Sequence, residues 1–157
     1  MKHLLVLVIL LPLLLGVCIT HTTAAEPNDG VVVVETIETE VTTNGCKTQS
    51  HKLSFLKNGS EVAWIKLNAT NGCWNALNMS LSNSTRTKWA ATGYSWVLLG
   101  AVLGGKTATR TTFTKYSNAE LHMPGNTGYL THQELRMVFL EPLNFHFSSN
   151  KTPVVWP

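Results

Sequence analysis

The tetrapeptide Thr-Asn-Gly-Cys occurs twice, as Thr43-Asn44-Gly45-Cys46 and Thr70-Asn71-Gly72-Cys73, and Asn58-Gly59 lies between the two copies. The apolar runs Leu53-Ser54-Phe55 and 62–67 flank Lys57-Asn58-Gly59-Ser60. Asn-Gly between apolar runs predicts a two-residue β-turn, because both residues tolerate positive φ. Cys46 and Cys73 sit just outside that hairpin, so a disulfide between them would tie its open end. The flanks of the two tetrapeptides do not align as a repeat; two similar turns meeting at one bridge is the simpler account. Closing a loop of this size stabilises a fold by about 3–4 kcal/mol in the chain-entropy picture.

The bridge presupposes an oxidising compartment, and the start of the chain supplies one. Residues 1–25 begin Met1-Lys2-His3, continue through an apolar run at 4–19 broken only by Pro12 and Gly16, and end Thr23-Ala24-Ala25. The run is shorter than the ~20 residues of a membrane-spanning helix, and the small residues after it fit signal peptidase. We therefore expect a signal peptide over 1–25, removed after Ala25, and a secreted domain over 26–157. The third cysteine, Cys18, goes with the leader and leaves Cys46 and Cys73 as the pair. The leader also inflates the 44% hydrophobic content of the whole chain. The remainder of the chain is long enough for one domain.

The net charge of +3 hides a division. Segment 26–44 reads as an acidic N-terminal strand, with Glu26, Asp29, Glu35, Glu38 and Glu40 and no base. Residues 41–157 carry eleven Lys/Arg against Glu61, Glu120, Glu134 and Glu141, an excess of 11 − 4 = 7 positive charges. Five Asn-x-Ser/Thr sequons, at Asn58, Asn68, Asn78, Asn83 and Asn150, fit a glycoprotein of the secretory route. Four of them fall between 58 and 85, so that stretch is expected to face water rather than a ligand.

No segment shows a helical period; strand signals recur every 8–12 residues instead. Residues 31–41 alternate imperfectly, with Val33, Ile37 and Val41 on one side and Glu35 spoiling it. Residues 73–81 form another candidate strand, with Cys73, Leu77, Met79 and Leu81 inward. Residues 94–103 and 106–116 are expected to pair as a second hairpin around Gly104-Gly105. Its inward face would hold Tyr94, Trp96, Leu98, Val102 and Phe113, with Val97 and Leu99 calling for cover on the other face. Residues 117–128 read as a loop; 135–140, 143–147 and 154–156 read as short strands. The total is an all-β fold, a small antiparallel β-sandwich or barrel of about eight to nine short strands with one disulfide.

Chemistry leaves little mark on the chain. It has no nucleophile elbow, phosphate loop, His-Glu-x-x-His or Cys-x-x-Cys motif. His51, His122, His132 and His146 lack the close spacing of a metal site on one element. No catalytic residue, metal ligand, cofactor or nucleic-acid motif is assigned. The strongest ligand-binding candidates are Arg86, Lys88, Trp89 and Tyr94, a basic and aromatic set, followed by Lys106 and Arg110. The reading is a secreted, non-enzymatic binding protein whose partner is an extracellular protein or glycan. The alternatives are a membrane-active toxin that threads 94–116 through an anionic bilayer, and a small hydrolase with a histidine site assembled in space.

Overall fold

A computed structural model describes residues 30–41 and 45–157. The expected signal peptide at 1–25, residues 26–29 and residues 42–44 of the acidic segment lie outside the described residues. Among the described residues nine strands make up the fold: β1 (Val31–Val41), β2 (Cys46–Lys57), β3 (Ser60–Trp74), β4 (Asn78–Ala90), β5 (Ser95–Val102), β6 (Lys106–Thr109), β7 (Thr112–Met123), β8 (Thr127–Val138) and β9 (Phe145–Val155). They build two antiparallel sheets, one in the order β1-β2-β3-β4-β6 and the other β5-β7-β8-β9. The all-β sandwich expected from the strand period is the observed fold.

The first hairpin forms as expected, with Lys57 opposite Ser60 and positive φ at Asn58 and Gly59, the requirement of a two-residue turn whose twist matches its strands. Cys46 faces Cys73 across β2 and β3, and their sulfurs are bonded.

Four other expectations are corrected. Residues 94–103 and 106–116 do not form a hairpin around Gly104-Gly105: β5 joins β7 in one sheet, where Val102 meets Tyr116 but the rest of β5 pairs beyond 116, and β6 crosses to pair with β4 in the other. Residues 117–128 are not a loop but parts of β7 and β8, joined by a turn with positive φ at Gly125 and Asn126. Segment 73–81 is broken by a turn in which Asn75 Oδ1 accepts from the N–H groups of Leu77 and Asn78, which puts Leu77 in water. The two C-terminal candidates are one strand, β9, with Pro153 inside it; proline is tolerated there because β9 is a sheet edge.

Two apolar clusters fill the space between the sheets. One gathers Val33, Leu53, Phe55, Ile65, Trp96 and Leu121, among others. The second is built on Leu67, Met79, Leu81, Phe113, Leu135 and Met137. Along β7 the inward residues between the clusters are Lys115 and Ser117, and along β8 they are Thr131 and Gln133. A belt of buried polar groups therefore divides the core. Its members need partners inside the protein, since an unpaired buried polar group costs about 1–3 kcal/mol.

Candidate functional site

β5 is the edge strand of its sheet, and most of it is in water. Val97, Leu98, Leu99 and Val102 are each 41–44% exposed, while Trp96 alone is buried. The expectation that Leu98 and Val102 face the core is thus corrected. So is the expected cover over Val97 and Leu99: among the described residues no strand lies over them, and both are exposed. A bulge between Leu98 and Ala101 breaks the alternation that would have turned Leu98 and Val102 to one face. The result is an apolar ridge with side chains exposed on both faces of one strand.

Cations hold this ridge to the rest of the molecule. Arg86 on β4 donates from one guanidinium nitrogen to Asn118 O at 2.9 Å, to Ser117 Oγ at 3.2 Å and to Leu99 O at 3.4 Å. Lys88 Nζ donates to Trp96 O at 3.1 Å. Lys115 is 5% exposed and donates to Leu103 O and Gly105 O, both at 3.2 Å. Burial holds the Arg86 and Lys115 pKa values below their ordinary ranges, and Lys106 nearby lowers Lys115 further. Each of these heads meets carbonyl or hydroxyl oxygens rather than a carboxylate. The reason lies in the sequence: residues 62–119, which span most of β3 through β7, contain no Asp or Glu.

The six candidates singled out from sequence do not form one patch. Arg86 and Lys88 point inward to β5, where they occupy main-chain oxygens of an otherwise open strand edge. Trp89, next to Lys88 in an extended strand, points the opposite way. It is 43% exposed on the outer face, directly opposite Trp64. Its main-chain oxygen accepts the Trp96 indole N–H at 2.9 Å. Tyr94 is half-buried against the first apolar cluster. Lys106 is exposed, with Nζ 5.6 Å from the centre of the Phe113 ring, and Arg110 sits exposed at a bend with φ 47°.

Sequons fall on several surfaces. Asn58 is exposed in the first hairpin turn, and Asn83 is exposed on β4. Asn68 is half-buried, its amide donating to Thr85 Oγ1 and Thr87 Oγ1, each at 3.3 Å. Asn78 Oδ1 accepts from Thr109 Oγ1 at 2.7 Å. Asn150 is exposed on the outer face of the β5-β7-β8-β9 sheet, beside a 310 Å³ depression that Leu99, Leu130 and His132 also line.

The histidines are dispersed. His122, His132 and His146 project from the outer face of that same sheet. His122 pairs with Glu120 and stacks on Trp156, His132 bonds Asn118 Oδ1, and His146 meets Glu141. His51 alone is inside, and no group of three metal-ligating side chains occurs among the described residues.

A second cluster left little trace in the sequence. Glu35, the residue that spoils the alternation of β1, turns inward and meets His51 on β2 with Ser149 and Lys151 on β9. The misplaced carboxylate was the available signal; its partner lies 116 residues away. Comparison of the chain with protein-family models, curated proteins and solved structures finds no match.

Proposed function

We propose that the chain is a secreted, non-enzymatic binding protein that engages an extracellular protein through the β5 side of the sandwich. The observation that carries this reading is the ridge of Val97, Leu98, Leu99 and Val102, left in water beside the cations Arg86 and Lys88, with Glu120 across from Val97 on β7. An exposed apolar strand edge is a hazard that folds normally cover or charge. Here two of its main-chain oxygens, those of Trp96 and Leu99, are occupied by Lys88 and Arg86 while its side chains stay open. That combination suits side-chain docking by a partner with apolar and acidic groups, rather than addition of a further strand. The positive field of Arg86, Lys88, Lys106 and Lys115 would steer such a partner.

The test is a binding screen of the purified protein against extracellular receptor domains, with each hit re-measured on the Val97→Thr/Leu99→Thr variant. We expect the double substitution to weaken binding by at least about tenfold, or 1.4 kcal/mol. Binding that survives it unchanged removes the ridge as the site. Dye release from anionic vesicles by the unmodified protein would instead support the toxin alternative. That alternative requires β5 and β6 to leave two different sheets before they could cross a bilayer together.

A further inference from the structure

We propose that Glu35 and Lys151 condense to a side-chain amide, a covalent cross-link between the first and last strands of the sandwich. β1 and β9 are edge strands of different sheets, and no backbone ladder joins them. Lys151 Nζ lies directly against Glu35 Oε1. Ser149 Oγ donates to that same oxygen at 2.9 Å. His51 Nε2 is 3.2 Å from the other carboxyl oxygen, Oε2. The side chains of Lys151, Glu35 and His51 are 12%, 19% and 2% exposed, so the cluster is largely shielded from water.

The hydrogen-bond network fixes where the imidazole proton sits. Gln133 Nε2, a donor only, is 3.2 Å from His51 Nδ1, so Nδ1 accepts and Nε2 carries the proton toward Glu35. Burial penalises both charges of the Glu35–Lys151 pair. Condensation proceeds from the neutral amine and the acid protonated on Oε2, the form that transfer of one proton from ammonium to carboxylate would give. Consistent with this, burial lowers the Lys151 pKa.

The bonds balance without a co-reactant. The Nζ lone pair attacks Glu35 Cδ, and Ser149 meets the charge that develops on Oε1. The Cδ–Oε2 bond then breaks as the leaving hydroxyl takes the proton shed by the attacking nitrogen and departs as water. His51 keeps its proton, and its Nε2–H hydrogen-bonds Oε2 as that bond lengthens. One carboxylic acid and one amine become one amide and one water, with Oε1 as the amide oxygen. Fixed proximity is what makes an otherwise slow condensation accessible, since oriented groups reach effective molarities of about 10⁵–10⁸ M.

Intact-mass spectrometry of the full secreted chain, after glycan removal and with the disulfide intact, tests the proposal on the unaltered protein. The expected mass is one water below that of the disulfide-bonded sequence. Peptide mapping should recover a branched peptide joining the segments around Glu35 and Lys151. Lys151→Arg keeps the charge but should restore the missing water. His51→Gln should leave a mixture of condensed and uncondensed chains. An unaltered protein at the uncondensed mass overturns the cross-link, as does a deficit that persists in Lys151→Arg. Full condensation of His51→Gln at the original rate overturns the part given to His51 in assisting the leaving oxygen.

Discussion

Gln133 on β8 donates its side-chain amide to the main-chain oxygen of His51 on β2 at 2.9 Å, across the two sheets. The residues are 82 positions apart in sequence, and both are buried. This bond is the centre of the polar belt that separates the two apolar clusters. The same amide nitrogen lies 3.2 Å from Nδ1 of the imidazole, whose Nε2 faces Glu35.

Replacing Gln133 with Leu keeps the volume but strips His51 O and Nδ1 of their shared donor. Nδ1 is then a buried acceptor without its donor, while His51 O keeps its place in a strand laddered on both sides, and we expect a loss of about 1–3 kcal/mol. Urea denaturation with unchanged m-value measures it. A neutral result would mean that water reaches the belt.

Burial pushes the His51 pKa down from 6.5 to about 4. The unfolded chain therefore binds a proton at His51 across that interval while the folded chain does not. Stability from this residue is full above about pH 6.5 and declines as pH falls toward 4, by up to about 3 kcal/mol. Denaturation midpoints between pH 7 and 4 should follow this slope, and His51→Gln should flatten it. Equal slopes in both proteins would assign the acid sensitivity to other groups.

Arg86→Met removes the donor that holds Asn118 O, Ser117 Oγ and Leu99 O. We expect it to destabilise the fold by roughly 1–3 kcal/mol and to speed hydrogen exchange at β5 amides ahead of those in β8. Arg110→Ala, at an exposed bend, should change neither. Exchange that rises uniformly over both sheets would argue against Arg86 as a local fastener.

Two glycines separate packing from conformation. A Cβ on Gly128 would lie 1.9 Å from Leu121 O, a main-chain atom held in the β7–β8 ladder. Gly128→Ala should cost at least the ~1–3 kcal/mol typical of overpacking. Gly100, in the β5 bulge, has nothing within 4 Å of its Cβ position. Gly100→Ala should be neutral or stabilising by up to about 1 kcal/mol, because it narrows the unfolded ensemble. Thermal melts of the two variants should move apart, and a shared loss would point to a general intolerance in the second sheet.

Cys46→Ser/Cys73→Ser opens a bridge that spans 27 residues and should lower stability by about 3–4 kcal/mol. Because the pair faces directly across β2 and β3, far-ultraviolet circular dichroism of the variant should remain that of a β protein. Loss of the β signal at low temperature would show that the bridge is needed to form the hairpin at all.

The sequence by itself determined the class of fold, the first hairpin and the bridge. Each of these rests on local chemistry: period-two alternation, an Asn-Gly turn, and two cysteines placed symmetrically about it. Tertiary structure alone decided that β5 and β6 part company into different sheets. It also decided that residues 117–128, which read as a loop, are strand. Lys115 and Ser117 on β7 and Thr131 and Gln133 on β8 point inward, so polar residues fill the positions where alternation looks for apolar ones. They are stable there because each finds a partner on another strand or connection: carbonyls of the β5–β6 connection for the Lys115 head, Arg86 for Ser117, Ala119 O for Thr131, and His51 for the Gln133 amide nitrogen. The same holds for Glu35, which spoils a strand pattern until Lys151 is brought beside it. Apolar periodicity is written along the chain, whereas the pairing of buried polar groups exists only once the sheets are stacked.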